Sequence, residues 1–227
     1  MFLWEYFIYL GLVSTFVWGL YPLFDVLLKT YFPKSYKNLP NSERIYVVKN
    51  LIKAFMLFIW CIIAWYIIYG AIIDNWNNFV ISWAGVLYAA PDLVGLIRVK
   101  KLERSTRIHH ICVNILAALN VLNDYQTYTF WRGVVIYASI SVLTFSVNLY
   151  LGLRKLNFKY SHQLCLHAYY TYGLLLALNW SYQLHIMYRT LMITGSEWMF
   201  YLYGGMIGMI VYDDIKLISF LRHMANK

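Results

Sequence analysis

The chain has 227 residues, of which 61% are hydrophobic, 19% aromatic and only 13% charged, with a formal charge of +9 from 19 basic and 10 acidic groups. A soluble domain carries about 25% charged residues; with a mean hydropathy of +0.55, a soluble reading is excluded and the bilayer is the solvent to reason about. Spans of roughly 20 residues each would fit about seven times into this length, which leaves little for a separate soluble domain. Cys61, Cys112 and Cys165 all lie inside apolar runs without a Cys-x-x-Cys spacing, so they read as apolar filler and not as a disulfide framework or a zinc knuckle.

The apolar runs fall near 3–28, 50–73, 79–97, 108–124, 131–153, 164–188 and 198–220. They are too long and too uniformly apolar for the alternating strands of an outer-membrane barrel, so they are expected to be helices. The fourth is the shortest: its clearly apolar part, Ile111 to Leu122, predicts a tilted span, one extended through Tyr128, or one packed inside a bundle. The expected fold class is all-α, a polytopic bundle of about seven transmembrane helices around a central cavity.

Charge alternates between the connections. The first (Lys29, Lys34, Lys37, Arg44 and Lys49 against Glu43), the third (Arg98, Lys100, Lys101, Arg104 and Arg107 against Glu103) and the fifth (Arg154, Lys155, Lys159) are basic. The second carries Asp74, the fourth Asp124 with Arg132 at its edge, and the sixth balances Arg189 with Glu197. By the positive-inside rule the N-terminus is expected outside or in a lumen and the C-terminus, with Arg222 and Lys227, in the cytoplasm. The excess of basic charge then belongs to topology, and no nucleic-acid partner is expected. No basic region precedes the first run and no small-residue cleavage site follows it, so it reads as an uncleaved anchor. Trp4, Trp76, Trp131 and Trp198 sit near the expected outer ends and suit an interfacial belt.

Ionisable groups inside spans are costly and need a reason. Asp92 lies six residues before Arg98, about 9 Å inside the basic end of its helix. His109 and His110 start the fourth span, Asn148 approaches the end of the fifth, His162 and His167 open the sixth, and Asp213, Asp214 and Lys216 lie late in the seventh. Five helices are thus expected to bring polar groups into one layer near the cytoplasmic face. Two adjacent histidines point about 100° apart on a helix, so at least one must look into the bundle. An imidazole beside a carboxylate suits acid, base or nucleophilic chemistry, or recognition of a lipid headgroup. Adjacent histidines without a His-x-x-x-His spacing argue against a metal site, and none is expected.

The segment Tyr88-Ala-Ala-Pro-Asp92-Leu-Val, a short basic loop, then Arg107-Ile-His109-His110-Ile resembles the central signature of the TLC domain family, which includes ceramide synthases, translocon-associated membrane proteins and lipid-regulating membrane proteins. Asn41-Ser-Glu-Arg44, Phe145-Ser-Val-Asn148 with Arg154, and Asp213 extend the likeness more weakly over 40–220. The resemblance implies an anchor helix and linker at 1–40, a six-helix TLC-like membrane domain at 41–222, a cytoplasmic tail at 223–227, and residence in the endoplasmic reticulum. It also implies membrane lipids as ligands, no resident cofactor, and acyl-CoA as the co-substrate if the chain transfers a fatty acyl group to a lipid amine as ceramide synthases do. His109, His110 and Asp92 would then be catalytic, with Arg132, Asn148, Asp213 and Asp214 lining the substrate. This sequence keeps Asp92, His109, His110 and Arg132-Gly133, but has no Asp, Glu or His from Gly133 to Tyr150. The acidic partners of the synthase motif are missing, so Asp92 or the Asp213–Asp214 pair would have to replace them. Without replacement, lipid sensing or chaperoning is the expected role.

Two other classes compete. Seven helices with Lys216 on the last invite a retinal protein with a lysine Schiff base, although the expected depth of Lys216 near the cytoplasmic end speaks for snorkelling instead. A transporter or channel would draw only on the intramembrane polar residues, without the repeats or paired broken helices of such folds.

Overall fold

A computed structural model describes residues 1–193 and 198–227, and every regular element among them is helical. Glu197, expected to balance Arg189, lies outside the described residues. The helices are α1 (Leu3–Tyr31), the short α2 (Pro33–Lys37), α3 (Asn41–Ile72), α4 (Asn78–Arg98), α5 (Arg104–Asn120), α6 (Arg132–Val142), α7 (Phe145–Leu153) continued by a 3-10 turn at Arg154–Leu156, α8 (Ser161–Ile193) and α9 (Trp198–Ala225). Each expected run thus falls on helix. Length and composition make α1, α3 and α4 able to cross a membrane, with α6 and α7 as a fourth, bent span. The polar residues of α8 and α9 and the 17-residue length of α5 keep these three outside that set.

The fifth run is expected as one helix, yet it bends by 45° between α6 and α7. Neither Gly nor Pro lies at the break. The Thr144 hydroxyl donates to the Ser141 carbonyl at 2.6 Å, and that of Ser139 to the Val135 carbonyl at 2.8 Å. Such back-bonding competes with the helical ladder and bends it. The fourth run ends at Asn120 instead of reaching Tyr128. The second begins at Asn41, well before the apolar stretch that a minimal span would need.

Helix α1 packs on α3 and α4 through Tyr6, Leu10, Val17 and Tyr21 and leaves Phe7, Leu12, Phe16 and Leu23 outward. A second apolar core lies among α3, α4, α5, α6 and α9, and a third joins α7, α8 and α9. The outward apolar surface continues over Ile62 and Trp65 of α3, a helix able to cross a membrane, and over Leu174 and Leu178 of α8. Trp4 and Trp198 are exposed and remain suited to an interfacial belt, whereas Trp76 and Trp131 are buried in the core. Cys61, Cys112 and Cys165 are free, the last two buried.

Arg132 explains the burial of Trp76. Its guanidinium lies 4.7 Å over that ring and donates to Asp74 and to the Tyr125 carbonyl, each at 2.8 Å. Asp74 also accepts from the Trp76 indole at 2.8 Å. This latch closes the end of the bundle that carries the second and fourth connections. Deeper in, Gln183 of α8 donates to the Gly133 carbonyl at 2.9 Å and accepts from the Tyr203 hydroxyl, joining α6, α8 and α9.

Close approach of α3 and α7 depends on Gly152, where an added Cβ would lie 2.7 Å from two Leu51 side-chain carbons. Gly152→Ala is expected to cost the ~1–3 kcal/mol of overpacking and to lower the melting temperature in detergent. Gly11→Ala, whose Cβ meets nothing within 4 Å, is expected to leave it unchanged or raise it. Equal melting for both variants would contradict this packing.

Candidate functional site

Asp92 follows Pro91 on α4, and a proline there removes the backbone hydrogen bond to the preceding turn. Its side chain is wholly buried. Lys53 of α3 donates to Oδ1, and Nδ1 of His110 on α5 stands 3.1 Å from Oδ2. That second contact is off hydrogen-bond alignment, so Oδ2 and both His110 nitrogens have no hydrogen-bond partner among the described residues. His109, one residue earlier, turns to α9, where its Nδ1 lies 3.4 Å from Asp213 Oδ2. Asp213 Oδ1 accepts from Thr106 at 3.1 Å.

The neighbouring Asp214 has a different environment. The hydroxyls of Tyr137 on α6 and Tyr172 on α8 both donate to its carboxyl, the latter at 2.7 Å. Two hydrogen bonds compensate a buried acid, which gives Asp214 a bracing role among three helices. Asp214 is thus satisfied, whereas Asp92 Oδ2, His109 Nδ1 and both His110 nitrogens are buried without a hydrogen-bond partner among the described residues.

A cavity of about 800 Å³ opens at the end of the bundle that carries the basic connections, and His109, His110, Asn148, Asp213 and Asp214 line it. A second, narrow space of about 50 Å³ runs among Trp60, Ile67, Ile81, Val113 and Leu116. Its wall is almost entirely apolar. Tyr88, His109 and Tyr137 line both, so the polar cavity and the apolar slot meet at one histidine.

The structure thus brings together Asp92, His109, His110, Asp213, Asp214 and Asn148 of the residues expected at the site. It does not bring Arg132, which is committed to the latch with Asp74 and Trp76 at the opposite end, and so does not line this cavity. His162 and His167 do not join it either, because they fall on the outer side of α8. Lys216 sits at the rim, where its ammonium donates to Glu103 at 2.6 Å; that contact holds the Glu103 carboxyl below the usual carboxylate range. The pair is half exposed, so it adds little to stability.

The spacing of the two histidines, which speaks against a metal, describes one helix only. With Asp92 supplied by α4, the three residues Asp92, His109 and His110 offer ligand atoms within 4.8 Å of one another. That is close enough for one ion to draw together, with the Lys53 ammonium at the same carboxylate as its competitor.

Sequence reasoning gave no site role to Lys53, Tyr137 or Tyr172, quoted Tyr88 only as the start of a motif, and placed Lys49 in a loop. The signal for the lysines was present as an i, i+4 pair on one helix face, visible once α3 is known to start at Asn41. Nothing in the sequence tied Tyr172 to Asp214, 42 residues away.

Asp92→Asn leaves the partly buried Lys53 without its counter-charge and is expected to cost up to ~3 kcal/mol, the low end for a broken buried pair, read as a clear drop in melting temperature. Adding Lys53→Met to Asp92→Asn is expected to restore most of it. Additive losses in the double variant would show that the pair is not the interaction that matters. Comparison of the chain with protein-family models, with curated proteins and with solved structures gave no match, so the likeness to the TLC family rests on Tyr88 to His110 and the weaker segments around it.

Proposed function

We propose that the chain is a multi-pass membrane protein of TLC type that binds an amphiphilic lipid, with the lipid's chain in the apolar slot and its head in the basic-ended cavity. The observation that carries this reading is the junction of the two spaces at Tyr88, His109 and Tyr137. Seven spans, a lumenal N-terminus, a cytoplasmic C-terminus and residence in the endoplasmic reticulum belong to the same proposal. Helices on all seven apolar runs and basic residues around one cavity mouth support it.

The slot is narrow, so a chain has to widen it. A chain drawn from the bilayer exchanges lipid contacts for protein contacts with no hydrophobic gain, so the fit of side chains such as Ile67, Ile81 and Leu116 around it decides its affinity. The polar end offers what a headgroup needs: imidazole at the junction, carboxylate and hydroxyl at Asp213 and Thr106, and lysines beyond. Membrane lipids are the partners this arrangement fits.

A second reading, fatty-acyl transfer, is favoured by one specific observation. The acids missing from 133–150 have spatial substitutes, because Asp92 stands beside His110 and Asp213 beside His109. In that reading His109 takes the acyl group from acyl-CoA, the thiol leaves with a proton, and a lipid amine then attacks the acyl-imidazole to form the amide. The flanking carboxylates stabilise the positive charge that develops on the ring.

Gly85 lines the slot, where its hydrogen faces α5 at Ala117 and Asn120. Gly85→Leu is expected to fill the slot and to remove co-purifying lipid, measured by mass spectrometry of the purified protein, while folding is retained by circular dichroism. Unchanged lipid content in a folded variant would refute the slot as a binding site. Incubation with long-chain acyl-CoA and an amine lipid decides between the readings. Product that is lost in His109→Ala/His110→Ala supports transfer, and none from wild type leaves binding.

A further inference from the structure

The lysines of α3 do not share one fate. Lys53 is paired with Asp92, but Lys49, one turn earlier, is 6% exposed and has neither an ion pair nor a hydrogen bond among the described residues. Its stem lies across Gly95 of α4, where an added Cβ would come within 3.2 Å of the Lys49 Cε. A glycine at that point lets the long side chain pass between two packed helices and present its ammonium to the large cavity, which Lys49 lines. Asp92 and Asp213 are the acids within electrostatic reach, and Lys53 is a cation within the same reach. Asp92 is already taken by Lys53 and His110, and Asp213 by Thr106 and His109.

The rest of the cavity wall has the same imbalance. Lys155 pairs with Glu43 and Lys216 with Glu103, Asp214 is held by two tyrosines, and Lys100 and Lys101 line the mouth without an acid partner among the described residues. Three ammonium groups without a paired counter-charge thus face one space large enough for a headgroup. A monovalent carboxylate would leave most of that charge unanswered. A phosphoryl group, with up to two negative charges and three acceptor oxygens, answers it. Charge-assisted hydrogen bonds from lysine to phosphate are strong ones, and an unpaired buried ammonium costs stability until they form.

We propose that Lys49 is the anchor of a phosphoryl-binding subsite at the base of the cavity, with Lys100 and Lys101 at its mouth, so that the amphiphile bound here carries a phosphate at its head. The inference rests on the lipid-binding reading and specifies its ligand. The lysines recognise the phosphoryl group, while the slot beyond His109 receives the chain attached to it. Phospholipid, acyl-CoA and free phosphate share that chemistry and differ in the group that the phosphate carries.

Full-length protein in dodecyl maltoside micelles, a phosphate-free medium, is titrated with phosphatidic acid, with long-chain acyl-CoA, with inorganic phosphate and with diacylglycerol, and binding is read by thermal shift and native mass spectrometry. Phosphatidic acid or acyl-CoA is expected to bind wild type, and whichever binds names the source. Lys49→Met is expected to weaken that binding by about tenfold or more, the loss of one charge-assisted contact. Lys49→Arg is expected to retain most of it. Without ligand, Lys49→Met is expected to melt at the same temperature as wild type or higher, because it removes an unpaired buried charge; a purely structural lysine would give the opposite sign. Competition by inorganic phosphate places the recognition at the head alone. Equal affinity of Lys49→Met and wild type for the phosphorylated ligand overturns the subsite. So does a diacylglycerol affinity equal to that of phosphatidic acid, although the slot reading then survives. If none of the amphiphiles binds wild type, both fall.

Discussion

Asp92 is wholly buried on α4, and its two oxygens face different helices, Lys53 of α3 through Oδ1 and His110 of α5 through Oδ2. Taking an ionised carboxylate out of water costs several kcal/mol unless cations and hydrogen bonds replace the solvent. The energetic demand of one side chain therefore fixes the relative depth of three helices. It also decides where His110 points, and through the 100° step between adjacent helical residues it turns His109 away toward α9. Asp213 meets His109 there. The polar corner is thus built outward from a carboxylate buried away from water.

The two ends of the bundle, one dense and one hollow, differ in how their polar groups are paired. At the dense end the polar groups satisfy each other closely, as in the Arg132–Asp74–Trp76 latch and the Gln183–Tyr203–Gly133 join. At the hollow end lysines and histidines outnumber the acids available to them, and space for solvent or ligand remains around them. The apolar slot begins where that polarity stops, at Tyr88, His109 and Tyr137. An amphiphile has the same change of character along its length.

Much of this was legible in the sequence because the bilayer restricts the choices. Long apolar runs with alternating loop charge told where helices lie, and the positions of Asp92, His109, His110 and Asp213 relative to Arg98 and Arg107 placed them at one end. The partners within the cluster were not legible. Lys49 read as a loop residue because α3 extends well beyond the minimum needed to cross a membrane, and Arg132 read as a site residue because proximity in a motif says nothing about which end of a helix faces the cavity. Tyr137 and Tyr172 gave no signal at all, since an aromatic in an apolar span is ordinary and their common partner, Asp214, lies far along the chain. The bend after Val142 was hidden for a similar reason: it comes from serine and threonine hydroxyls turning back on the backbone, in a segment whose hydropathy is that of a straight span.

On the proposed reading the slot and the cavity form one continuous site with His109 at the junction. A structure of the protein purified without exogenous lipid, with any co-purifying lipid retained, tests that most directly. Elongated density running from beside His109 into the space between Trp60, Ile81 and Leu116, with its head toward Lys49, is the predicted result. Side chains closed across the slot, with lipid density only on the outer surface of the helices, would contradict it.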